Sequence, residues 1–83
     1  MRAYTLEEAK RAAESTMRSW AEVNVWPVDE WQPIGSNWKL HLFVEDGRRI
    51  AILYELDGNG FTIQKSAMYL PIPEENGSVK WTN

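Results

Sequence analysis

Eighty-three residues, 43% of them hydrophobic, 12% aromatic and 25% charged, with a net charge of -3, describe one globular domain with enough apolar surface to bury a core. No apolar run approaches the roughly 18 residues of a membrane span, and Met1 to Thr5 lacks the apolar core of a secretory signal, so the expected compartment is the cytoplasm. With no cysteine, disulfides, thiolate nucleophiles and thiolate metal sites are excluded, and stability must come from packing.

The first predicted element is an amphipathic helix over residues 5–24. Thr5 is placed as its N-cap, with Glu8 three residues later completing a capping box. Leu6, Ala9, Ala13, Met17, Trp20 and Asn24 recur at three- and four-residue steps and form one buried stripe. Glu7, Lys10, Arg11, Glu14, Arg18 and Glu22 fall on the other side, where Glu7 with Arg11 and Glu14 with Arg18 are favourably ordered i,i+4 pairs. The small alanines allow close approach to a partner layer, with Met17 and Trp20 as the larger plugs.

Residues 25–37 lose this period. Trp26-Pro27, Trp31 and Pro33-Ile34-Gly35 predict an irregular loop with at most a short edge strand around Val28 to Gln32, because proline lacks the donor that a central strand needs. Strands follow at 38–44 and 48–56. A two-residue Asp46-Gly47 turn would put Leu40 and Leu42 on the face opposite Ile50, Ile52 and Tyr54. A three-residue turn, Glu45-Asp46-Gly47 with Gly47 left-handed, gathers Trp38, Leu40, Leu42, Ile50, Ile52 and Tyr54 on one face, and this register is the expected one. Lys39, His41, Phe43, Arg49, Ala51, Leu53 and Glu55 then lie outside.

Asp57-Gly58-Asn59-Gly60 is a strong turn signal leading to a strand over 61–70, with Leu56 opposite Phe61 and Tyr54 opposite Ile63. Met68 and Leu70 are out of phase with Phe61 and Ile63, so a bulge is expected near Lys65 or Ser66. After the turn-rich Pro71 to Gly77, residues 78–82 are expected to add a short last strand. The predicted fold is α+β: one N-terminal helix packed across a three- to four-stranded antiparallel meander in a two-layer sandwich, forming a single domain over 1–83. Glu45, Asp46, Glu74 and Glu75 should gather at one end of it, and Asp29, Glu30 and Asp57 at the other.

No catalytic set emerges. His41 is the single histidine and is expected on an outer strand face without a hydroxyl, thiol or carboxylate partner, which also excludes a multi-histidine metal site. Asp57 to Gly60 begins like a calcium loop, but Phe61 and Thr62 stand where a ligand and the required glycine belong, and a hairpin turn explains all four residues. Gly58 and Gly60 lack the lysine-threonine pair of a phosphate loop. Asn76-Gly77-Ser78 fits a glycosylation acceptor that only secretion would use. The adjacent acids Asp29-Glu30, Glu45-Asp46 and Glu74-Glu75 read as solvent-facing turn residues rather than a two-carboxylate hydrolytic pair. No cofactor or metal is expected.

Five tryptophans are the least ordinary feature. Trp20 and Trp38 are accounted for by the core. Trp26 and Trp31, in the proline-broken segment, and Trp81 near the C-terminus are candidate anchors for a protein partner, since tryptophan is enriched at binding hot spots; the plainer account makes the loop a lid over a thin core. Phe43 and Arg49 on the outer strand face join the expected partner-binding set, and the same face, with Leu53 and Met68, offers a surface for a homodimer. The expected function is a non-catalytic protein-binding module, an inhibitor or regulatory subunit. The alternatives are a small-ligand pocket walled by Trp20, Trp38 and Tyr54, and a weak single-stranded nucleic-acid surface using Lys39, Arg48, Arg49 and Lys65. Twelve acids against nine bases disfavour the nucleic-acid reading, and no membrane partner is expected.

Overall fold

The computed structural model describes residues 2–22 and 26–71. One helix, α1 (Leu6–Glu22), is followed by four strands, β1 (Asp29–Ile34), β2 (Trp38–Glu45), β3 (Arg48–Leu56) and β4 (Thr62–Pro71), paired in the order β1-β2-β3-β4 as an antiparallel meander. This is the expected α+β arrangement. The expected last strand at 78–82, Trp81, and the Glu74-Glu75 pair lie outside the described residues.

The helix begins as its sequence dictates. Thr5 Oγ1 accepts from the Glu8 amide at 3.2 Å and Glu8 Oε1 accepts from the Thr5 amide at 3.0 Å, closing the capping box. Ala9, Ala13 and Met17 are fully buried on the sheet, and Leu6, Ala12 and Trp20 pack against the same cluster. Glu14 pairs with Arg18 at 3.7 Å, but Arg11 makes no ion pair with Glu7; the cation that reaches the first turn is Arg2, 3.0 Å from Glu8. The segment before the helix is latched to the β1–β2 turn. The Asn37 side-chain amide both accepts from the Tyr4 amide (2.9 Å) and donates to the Tyr4 carbonyl (3.0 Å), and Trp38 Nε1 donates to that carbonyl at 2.8 Å. Gly35 makes the latch possible: its φ is +58°, and a Cβ there would stand 2.5 Å from the Arg2 carbonyl oxygen, itself the acceptor for the Ser36 amide.

The β2–β3 register departs from expectation. Asp46 and Gly47 both have positive φ (52° and 72°), the signature of a two-residue type I′ turn, and Glu45 pairs with Arg48, Leu42 with Ala51 and Leu40 with Leu53. The inner face toward α1 therefore carries Ile34, Trp38, Leu40, Leu42, Ala51, Leu53 and Met68, while Ile50, Ile52 and Tyr54 lie on the other side. Arg49, Ala51, Leu53 and Met68, expected outside, are inside, so Leu53 and Met68 belong to the core and not to an outer surface for a homodimer. The twist of a type I′ Asp-Gly turn matches the strands it joins, and splitting the apolar residues between two faces does not expose all those placed outside. Ile50 is only 4% exposed there.

β4 is displaced by one residue from expectation: Leu56 pairs with Thr62 and Tyr54 with Gln64. The Asp57 carboxylate accepts from the amides of Asn59 (2.8 Å) and Phe61 (2.9 Å), so the loop closes on Asp57 and Phe61 and leaves Phe61 and Ile63 exposed. The expected bulge is present, with Lys65 unpaired between the Leu53–Ser66 and Tyr54–Gln64 pairs. The short edge strand allowed around Val28 to Gln32 is present as β1 and extends further than expected, through Pro33 to Ile34, which an edge position tolerates. Asp29 pairs with Phe43 and Glu30 with Leu42, so these acids lie toward the Asp46–Gly47 turn rather than at the opposite end with Asp57.

Candidate functional site

On the face away from α1, alternation in β1, β2 and β3 brings Trp31, His41, Phe43 and Tyr54 into one row of rings. Trp31 and His41 are cross-strand partners, and their rings stack with centroids 4.0 Å apart and planes 3° from parallel. His41 stacks in turn on Phe43 at 4.5 Å, and Tyr54 meets Trp31 at 5.4 Å with a 36° tilt. Cross-strand and i,i+2 neighbours on one sheet face are close enough for aromatic contact, and such pairs contribute about 0.5–1.5 kcal/mol each beyond area burial. Trp31 remains 46% exposed although strand pairing fixes its backbone.

Asp29 holds the histidine. Its Oδ1 lies 2.5 Å from His41 Nε2. A carboxylate only accepts, so Nε2 carries the proton and donates, and the imidazole is fixed in tautomer and in plane between two rings. This corrects the expectation that no carboxylate reaches His41. The pairing rests on β1 lying beside β2, which the Gly35-Ser36-Asn37 turn and the alternation of Asp29, Trp31 and Pro33 against Glu30, Gln32 and Ile34 would have indicated.

The remaining candidate residues divide between the two faces. Phe43 belongs to the open row. Arg49 is on the helix side, buried to 8% exposure, with its guanidinium 5.8 Å from the centre of the Trp26 indole. Trp26 is half-buried, packs against the core cluster, and donates from Nε1 to the Phe43 carbonyl at 3.1 Å. Trp81 lies outside the described residues. Tyr54 faces away from Trp20 and Trp38, so those three side chains do not wall one pocket between helix and sheet. Of the basic residues considered for nucleic acid, Lys39 and Arg48 are exposed on the open face, Lys65 pairs with Glu55 at 3.4 Å, and Arg49 is inside.

Among the described residues, no cluster of three or more His, Cys, Asp or Glu side chains is arranged to hold a metal ion, and no helix is long and apolar enough to cross a membrane. The architecture is that of a small two-layer α+β protein whose sheet shows one aromatic face. No family model, curated protein or solved structure matches the chain.

Proposed function

We propose that the protein is a small cytoplasmic, non-catalytic binding module that acts by occupying a protein partner, as an inhibitor or regulatory subunit, and docks through the open face of its sheet. One observation carries this reading: Trp31 is 46% exposed while held flat against His41 on a paired strand. A large side chain already fixed in place loses little conformational freedom on binding, the property that makes tryptophan an efficient anchor. Phe43 and Tyr54 widen the contact. The Asp29 carboxylate, 67% exposed at its edge, suits a basic side chain on the partner.

The sheet edges are poorer docking sites. Pro33 interrupts the donors of β1 and the Lys65 bulge distorts β4, two devices that discourage strand addition. Docking is therefore assigned to the face rather than to β-augmentation.

A photo-crosslinking residue at position 39, exposed on the same face beside Tyr54, compared with one at Ser15 on the exposed side of α1, tests the reading. The partner captured at position 39 is purified and titrated with wild type and Trp31→Ala. The expected loss is about 30-fold or more in affinity, corresponding to a hot spot of about 2 kcal/mol, with the fold intact. Equal capture at both positions, or unchanged affinity, would overturn it. Capture of a second copy of this chain would replace the hetero-partner with a homodimer through the same face.

A further inference from the structure

The exposed cations Arg2, Arg18 and Lys65 each have a carboxylate within 4.0 Å, whereas Arg49, buried to 8% exposure, has none among the described residues. Its Nε is buried without a hydrogen-bond partner. A buried charge is usually paired, and the Arg49 guanidinium departs from that rule. The described contact that favours the charge is the Trp26 indole, with the guanidinium carbon 5.8 Å from the ring centre. A cation–π contact at that distance does not occupy the Nε–H, which is left without an acceptor among the described residues.

We propose that Arg49 and Trp26 form a binding site, on the helix side of the sheet and separate from the docking face, for a monocarboxylate with an apolar or aromatic body. A carboxylate matches the Nε and Nη donors of a guanidinium edge in a bidentate pair. The rest of the site is apolar. Val44, the cross-strand partner of Arg49, is 38% exposed, and Val28, whose carbonyl accepts from the Val44 amide at 3.3 Å, is 80% exposed, so the strand positions next to Arg49 are apolar and reach solvent. Trp26, half-buried and tied by Nε1 to the Phe43 carbonyl, supplies a ring for the ligand body. A doubly charged phosphate is disfavoured because the neighbouring Arg48 lies on the opposite face and Arg2, Arg18 and Lys65 are paired with Glu8, Glu14 and Glu55.

The test uses the full chain labelled with 15N and titrated with phenylacetate, its neutral isostere phenylacetamide, and inorganic phosphate. Phenylacetate should shift the Arg49 Nε–H and Trp26 Nε1–H signals saturably, and phenylacetamide should bind at least about tenfold more weakly, since it lacks the charge that strengthens the pair. Arg49→Met should abolish the Trp26 shift while the protein stays folded, because an apolar side chain replaces an unpaired buried charge. Should that variant unfold, the wild-type Arg49 Nε–H signal still decides. A free-C-terminus peptide ending in phenylalanine is the last arm: tighter binding than phenylacetate assigns the ligand to a chain end, and weaker binding assigns it to a free small acid. No saturable shift of Arg49, an equal response to phenylacetamide or to phosphate, or unchanged binding by a folded Arg49→Met would overturn the site.

Discussion

The two faces of the sheet use aromatic and aliphatic residues in opposite ways. Against α1, Leu40, Leu42 and Leu53 are fully buried and interlock with Ala9, Ala13 and Met17, so each side chain is fixed by neighbours on all sides. On the other face Trp31, His41, Phe43 and Tyr54 touch mainly along one row, with Ile50 buried and Trp31 half out in solvent. The first face is closed by packing against a second layer. The second is ordered by cross-strand stacking and keeps apolar surface available. Contact with another layer, rather than hydrophobicity, separates the core from the candidate site.

The largest expected effect tests the closed face. Leu40→Ala removes a fully buried side chain at the centre of that layer and should cost about 2–5 kcal/mol, read as a lower denaturation midpoint with an unchanged slope. A cost below about 1 kcal/mol would mean that the helix does not close this face as described.

The tryptophans sharpen the contrast because one belongs to each side. Trp26→Ala loses core contact and the hydrogen bond to the Phe43 carbonyl, and should destabilise the protein by roughly 3 kcal/mol. Trp31→Ala, at a half-exposed site, should cost about 1 kcal/mol or less in stability while weakening partner binding. A reversal of that order in thermal denaturation would exchange the roles of the two residues.

The register that creates these faces depends on the Asp46–Gly47 turn. Gly47→Val forces a β-branched residue into φ +72° and should destabilise by about 1 kcal/mol or more, although the position is open in space. The cost would come from the backbone alone. An unchanged midpoint would remove the type I′ turn as the feature that fixes the register.

How much of this was legible in the sequence differs by element. The helix, its cap and its buried stripe follow from local spacing, and α1 carries them out at Thr5, Glu8, Ala9, Ala13 and Met17. The Lys65 bulge and the positive φ of Gly47 were also local signals. The register was not, because Leu40, Leu42, Ile50 and Ile52 satisfy alternation under either turn length; only the assumption that all apolar residues share one face selected the wrong one. That same assumption hid the candidate site. Tyr54 was assigned to the core and Arg49 to the surface, and both change sides when the register shifts by one residue. Asp29 beside His41 required knowing that β1 is a strand paired with β2, information that two prolines near Trp31 obscured.

A smaller effect belongs to the start of the helix. Glu8 is held below the usual carboxylate range, first by the hydrogen bond from the Thr5 backbone amide and then by Arg2 and Thr5 Oγ1. A depressed folded-state pKa contributes stability that is present above the unfolded value and is lost as pH falls through the folded one. Acid should therefore weaken the wild-type protein more than Glu8→Gln in the range below the ordinary glutamate pKa. Parallel acid titrations of the two proteins would remove this contribution.

The smallest expected effect is an absence of binding, and it tests what kind of open face this is. A row of rings on an antiparallel sheet is also a stacking platform for single-stranded nucleic acid, and Lys39 and Arg48 are exposed on that side. Stacking alone does not hold a polyanion, because most of the affinity comes from neutralising phosphates and releasing their counterions. Here Asp29 stands at the centre of the row on His41, Glu55 occupies Lys65, and the chain carries 12 acidic against 9 basic residues. Buried Arg49, on the other face, contributes nothing to this one. Fluorescence anisotropy with a labelled single-stranded oligonucleotide at micromolar protein and physiological salt should therefore show no binding. The same titration at low salt separates the two readings: affinity that rises steeply as salt falls, with a slope reporting several phosphate contacts, would make the aromatic row a nucleic-acid surface, whereas a flat response leaves it to a protein partner.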